Sequence, residues 1–195
     1  MSSRENILAA VKANQPERTV LPDVSAFETP TSGSLQKFAE VLTTIGGKIA
    51  YVSGYDEIAR IINSQYGNYV RIVTPLTELQ ELKPQDLKDI ISIHDLRDVE
   101  VAILKAHFGV AENGAVWITE HEMVRRVLPF VTQHLAVVIH AADVVPTMHH
   151  AYDRISSTTY GFGTFIAGPS KTADIEQSLV IGAHGPRSMT VFVIS

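Results

Sequence analysis

Strand-type apolar runs alternating with helix-period segments, from residue 35 to the last residues of the chain, predict an α/β domain: a mainly parallel sheet with helices on both faces. Three observations carry this. Residues 99–104, 115–119 and 135–139 are near-continuous apolar runs, the pattern of strands buried on both sides. Between such runs, apolar residues recur every three or four positions, as on a helix with one buried face. Glycines close several of those stretches, as they do at helix C-caps.

The elements follow in order. Ser2 and Glu5 stand at capping-box spacing ahead of Ile7, Leu8 and Val11, so residues 2–14 read as an amphipathic helix. Residues 15–34 hold Pro16, Pro22, Pro30 and Gly33 among serines and threonines, a composition that breaks regular structure. Residues 1–34 are therefore expected as an N-terminal helix and proline-rich arm, able to dock on the domain or on a neighbouring subunit, and 35–195 as the α/β domain. Leu35, Phe38, Ala39 and Leu42 mark a helix over 35–45 that closes at Gly46-Gly47, followed by a strand at 48–52. Asp56 is placed to cap a helix over 57–65 with Ile58, Ile61 and Ile62 on its inner face. Residues 70–73 read as a strand, and 87–93 fit either a helix end or a strand. Beyond the central runs, 146–155 read as a helix carrying Met148, Ala151, Tyr152 and Ile155 on one face, and 164–167 as a strand. Residues 172–181 read as a helix ending at Gly182, and 189–194 as the final strand. Open α/β sheets bind ligands in the loops at strand ends, which directs attention to the loops after Leu104, after Ala167 and before Met189.

Bulk properties narrow the chemistry. A chain of 195 residues removes roughly 70% of its unfolded surface from water, so it folds without a disulfide or metal staple. It contains no cysteine, which excludes disulfides, thiolate nucleophiles and cysteine-ligated iron–sulfur clusters within this chain. The net charge is −5 and the densest basic cluster is the pair Arg125-Arg126, which is no footprint for a nucleic-acid backbone. Residues 1–15 have no continuous apolar core of the signal-peptide kind. The apolar run at 135–139 stops at His140 and Asp143, far short of a membrane span. The cytoplasm is the expected location.

The densest functional signal is Gly168-Pro169-Ser170-Lys171-Thr172-Ala173-Asp174-Ile175-Glu176, read as a turn from a strand into a helix. Gly168 admits unusual backbone angles, and Ser170 or Thr172 can cap the helix. Free amides at such a helix start attract an anion. Asp174 and Glu176 already satisfy the helix dipole and repel a close phosphate unless Lys171 or another cation compensates. Spacing alone therefore also fits a well-capped turn with no ligand. Among the histidines, His149 and His150 point about 100° apart on a helix and cannot chelate one ion together. His121 beside Glu122 has no chelating partner at helical spacing, so no metal site is expected. His184, between glycines and near Arg187, is the best functional histidine. Trp117 is expected in the core, and Gly161-Phe162-Gly163 has too few glycines for a phosphate loop.

Gly-Pro-Ser-x-Thr-Ala-Asp-Ile-Glu at 168–176 is followed at a short interval by Gly182-Ala183-His184-Gly185-Pro186, then a terminal strand. Together the two motifs resemble the signature of the lactate-utilisation protein C family, also called the LUD domain. Weaker likeness extends upstream through the apolar strand 134–139 and Leu128-Pro129 to Val110-Ala111-Glu112-Asn113-Gly114, and the resemblance as a whole covers about residues 99–195. The family commonly has an arginine ahead of Pro129; Arg125 and Arg126 both fit. The resemblance implies a fold similar to ribose-5-phosphate isomerase and the CoA-transferases. It also implies a role beside two iron–sulfur partner subunits in oxidising L-lactate to pyruvate. The lack of cysteine agrees with a C-type chain, and no cofactor of its own is expected. CoA-transferases of the related fold use a glutamate in a Ser-Glu-Asn-Gly turn, and this chain has Ala111-Glu112-Asn113-Gly114. Glu112 is thereby a candidate nucleophile, although Ala111 replaces the serine and Asn-Gly is also a common tight turn between strands.

Three functions compete. One is a component of an L-lactate oxidation system with iron–sulfur partners, binding a small carboxylate or phosphate through Gly168, Ser170, Lys171, Thr172, Asp174, Glu176, His184 and Arg187. Another is a free-standing acyl- or CoA-transferase or isomerase using Glu112 or Asp174. The last is a non-catalytic scaffold.

Overall fold

The computed structural model describes residues 2–20, 22–23, 34–67, 70–172 and 180–195. Its centre is a five-stranded, wholly parallel sheet. The strands are β1 (Lys48–Val52), β2 (Ile72–Val73), β3 (Val101–Lys105), β6 (His134–His140) and β9 (Ser188–Ile194), in the order β1-β9-β6-β3-β2. The register couples Lys48 to Thr190, His134 to Ser188 and Val101 to His134, so all the amino ends lie along one rim. The predicted α/β class with a mainly parallel sheet is what the chain forms.

Side chains alternate across the sheet as the strand period requires. Val101, Ile103, Ala136, Val138 and Phe192 face helix α3 (Tyr55–Tyr66) and the 3-10 segment Thr77–Leu82, burying Ile58, Ile62 and Leu79 against them. Leu104, Leu135, Val137, Ile139 and Val191 face the other way, onto Phe38 and Leu42 of helix α2 (Ser34–Thr44). That side is completed by a second, four-stranded mixed sheet that sequence reading does not separate from the first. It contains β4 (Phe108–Val110), β5 (Ala115–Thr119), β7 (Val144–Val145) and β8 (Gly163–Ile166), ordered β7-β4-β5-β8. The run at 115–119 is buried as expected, but it pairs antiparallel to β4 and β8 and not within the parallel sheet. Strand β4 escapes a hydropathy reading because it is three residues long with Gly109 at its middle. A Cβ there would sit 3.0 Å from the Phe38 ring, so the glycine admits the aromatic side chain. Helices α4 (Leu128–Val131) and α5 (Met148–Ser156) complete the fold. Ala151 and Ile155 of α5 pack on Phe108, Val110 and Trp117.

Local expectations are met unevenly. The Ser2–Glu5 capping box forms on helix α1 (Ser3–Ala13), with the Ser2 amide donating to Glu5 at 2.6 Å. No residue of α1 is buried. Asp56 does not cap α3: the helix begins at Tyr55, and Ser53 donates its amide and hydroxyl to Glu57, each at 2.9 Å. Residues 87–93 are neither α-helix nor strand but 3-10 turns at Leu87–Asp89 and Ile93–Leu96.

Candidate functional site

The two motifs singled out in the sequence meet. The chain leaves β8 and passes Gly168, which adopts a φ of +73°. A Cβ at Gly168 would lie 3.0 Å from the Ile45 carbonyl oxygen, so the turn seats directly on the loop that enters β1. Pro169 packs near Gly46 of the same loop. The Ser170 amide then donates to the Pro186 carbonyl at 2.9 Å, and the Gly182 amide donates back to Ser170 at 3.1 Å. Lys171 and Ile181 form an antiparallel bridge, and Thr172 gives both its amide and hydroxyl to the Val180 carbonyl, at 3.1 and 2.9 Å. The helix expected over 172–181 therefore begins and ends in paired extended main chain. Residues 173–179, which include Asp174 and Glu176, lie outside the described residues.

This assembly stands on the amino rim of the parallel sheet. Arg187 donates its amide to Gln133, just ahead of β6, and β9 starts at Ser188. The loop after Ala167 leaves the carboxyl end of β8 but, like the loop before Met189, stands at the amino rim of the parallel sheet; only the loop after Leu104 lies at that sheet's carboxyl end. The rim gathers Lys171, His184 and Arg187, all exposed, around the buried Gly168-Pro169 turn. It adds His134, a residue that sequence reading treats only as the start of a strand. His134 Nδ1 and the Ser188 hydroxyl are 2.7 Å apart, and its ring lies 4.8 Å from that of Tyr66. Burial holds the His134 imidazole below its ordinary pKa. Arg187 and Lys48 push the same way, against the opposing pull of Glu100. Burial thus sets the direction, with Glu100 the strongest single charge acting on the ring, while the exposed side chains of Lys171, His184 and Arg187 beside it offer donors to a small anion. A polar residue opening an apolar strand was the available signal for His134; its neighbours come from elements far apart in sequence.

The other candidates are elsewhere. Glu112 lies in the turn between β4 and β5, where the Asn113 side chain accepts the Ala115 amide at 3.0 Å. Glu112 itself accepts the Met148 amide at 2.7 Å, capping α5. Arg125 donates to the Ile90 carbonyl at 2.9 Å, while Arg126 pairs with Glu120 and stacks over Phe162. His150 meets Thr147 at 2.8 Å. Among the described residues no three histidine, aspartate or glutamate side chains converge as a metal would require.

The LUD-domain family model matches residues 93–194, which run from the 3-10 turn before β3 through both motifs to the end of β9. The chain belongs to the LUD-domain family. Among LUD-domain relatives, a lactate utilization protein C of Bacillus pumilus is 33% identical over 91 residues, covering 44% of this chain and 38% of that protein. Its counterpart in Bacillus subtilis is 27% identical over 110 residues, covering 53% of this chain and 46% of that one. This LUD chain thus aligns with less than half the length of either. An uncharacterized protein of Neisseria meningitidis is 23% identical over 219 aligned positions, covering all of this chain and 94% of the other. The crystal structure of a DUF162 family protein from Deinococcus radiodurans superposes with a TM-score of 0.67 at 16% identity, over 86% of this chain and all of that one. That likeness establishes a shared fold.

Proposed function

We propose that this chain is a non-redox component of an L-lactate utilisation system, working with iron–sulfur partner subunits and holding a small carboxylate or phosphate at its motif-bearing rim. The similarity to proteins named lactate utilization protein C supports the pathway. One observation carries the ligand reading: the joined motif turns bring Lys171, His184 and Arg187, all exposed, to the rim where His134 meets Ser188. Oxidising lactate needs an acceptor for two electrons, such as a flavin, a nicotinamide or a metal cluster. A chain without cysteine cannot ligate a cluster through thiolates, which agrees with cluster-borne electron transfer on partner chains. Nucleophilic use of Glu112 is less favoured, because its carboxylate is engaged as a helix cap.

The test is lactate-dependent dye reduction by the purified chain, alone and with cluster-bearing partner subunits. No turnover is expected alone, with or without added flavin or NAD, and turnover is expected with partners. Lactate oxidation by the isolated chain would overturn the non-redox role. Unimpaired growth on L-lactate after deletion of its gene would overturn the pathway.

A further inference from the structure

At the opposite, carboxyl end of the parallel sheet, the loop leaving β3 carries His107 into a cluster that the rim does not involve. His107 Nε2 lies 3.0 Å from both the Thr119 hydroxyl and Glu122 Oε2, and the Thr119 hydroxyl donates to Glu122 at 2.5 Å. A carboxylate only accepts, so the Thr119 hydrogen goes to Glu122, and Nε2 carries the hydrogen shared with these oxygens. In the neutral ring this tautomer makes Nδ1 the acceptor atom. Beside the cluster is a pocket of about 170 Å³, close in size to engineered cavities of about 150 Å³ that hold benzene. Trp117, Tyr160 and Ile155 form its apolar part, with the Trp117 and Tyr160 rings edge to face at 5.4 Å. Arg154 and His107 supply its polar part, together with the hydroxyls of Thr158 and Thr159.

The charges are arranged with a direction. No carboxylate among the described residues lines the pocket, yet one stands behind each of its two basic groups. Glu122 holds His107, and Asp143 accepts from Arg154 at 2.7 Å while the guanidinium lies over the Phe108 ring. Carboxylates behind the anchors fix their orientation without occupying the site. Loops at strand carboxyl ends are also where open α/β sheets bind ligands.

We infer that this pocket is a second binding site, distinct from the rim, for a small hydroxycarboxylate with a short branched apolar body. Arg154 takes the carboxylate, His107 Nδ1 accepts from the hydroxyl, and Trp117 with Ile155 and Tyr160 contacts the hydrocarbon. Because Trp117 is the only tryptophan in the chain, its fluorescence reports occupancy directly. The experiment titrates the full chain with 2-hydroxy-3-methylbutanoate, with 3-methylbutanoate (no hydroxyl) and with 3-methyl-2-butanol (no carboxylate). A saturable change is expected for the hydroxy acid, with each control about tenfold weaker or worse. Arg154→Met and His107→Ala should each weaken the hydroxy acid about tenfold, while Arg60→Ala on the exposed side of α3 leaves it unchanged. The comparison of the three probes on the unaltered chain needs no variant to fold. A response absent for the hydroxy acid, or equal for all three probes, would overturn the inference.

Discussion

The Ser170 amide donates to the Pro186 carbonyl at 2.9 Å, and that contact, between residues 16 positions apart, joins the two family motifs. It also ties them to the amino ends of the strands, because the next residue, Arg187, reaches back to Gln133 ahead of β6. The consequences can be measured.

Gly168→Ala should destabilise the domain by about 1–3 kcal/mol, since a side chain at φ +73° is strained and its Cβ would press on the Ile45 carbonyl at 3.0 Å. For a chain of this size that is a loss of roughly 2–12 °C in Tm. Gly54→Ala, where a Cβ meets nothing within 4 Å, is the control and should cost about 0.5 kcal/mol or less. Equal shifts in a thermal melt would contradict the packing argument.

Glu112→Ala should cost about 1 kcal/mol, the ordinary loss for removing a helix cap, because the Met148 amide loses its acceptor. Glu112→Gln keeps an oxygen at that place and should recover most of it. Incubation with acyl-CoA and then hydroxylamine or borohydride should leave Glu112 unlabelled by mass spectrometry; a labelled Glu112 would restore the acyl-transfer reading.

The imidazole of His134 is held below its ordinary value near 6.5, so the unfolded chain binds that proton more readily than the folded one. The stability from keeping His134 neutral is complete above the ordinary value and is lost as pH falls through the lowered one. Urea midpoints at about pH 8 and about pH 5.5 should therefore differ, and His134→Gln, which retains a partner for Ser188, should reduce the difference. Glu122 also sits below its ordinary value. Burial opposes this, but the Thr119 hydroxyl, His107 and His121 outweigh it, and its share is lost only at still lower pH.

His184→Ala and Arg187→Ala should weaken binding of phosphate or L-lactate at the rim about tenfold while lowering Tm by no more than roughly 2–4 °C, because both side chains are exposed. Calorimetric titration paired with a thermal melt reads both. Loss of stability without loss of binding would make the motif purely structural.

Removing residues 2–14 should leave the melt of the remaining chain unchanged within about 2 °C, since α1 buries none of its residues. Ile7, Leu8 and Val11 remain more than half exposed. A larger drop would show that the helix packs on the domain in solution.

Sequence alone determined what depends on neighbours along the chain. The runs at 99–104 and 135–139 read as strands buried on both faces, and Ser2 with Glu5 could satisfy a helix start within three residues. The paired motifs were legible too, because their order and spacing are linear facts. Tertiary structure decided what depends on residues distant in sequence. The 115–119 run carries the same buried pattern as the parallel strands, but partners on β4 and β8 put it in a different sheet. Asp56 lost its capping role because Ser53 and Glu57 close the start of α3 instead. Glu112 became a helix cap only because α5 returns 36 residues later with an unpaired amide. His134 and His107 each acquired partners across sheet connections, where hydropathy, which sums local preference, has no term for the residue opposite.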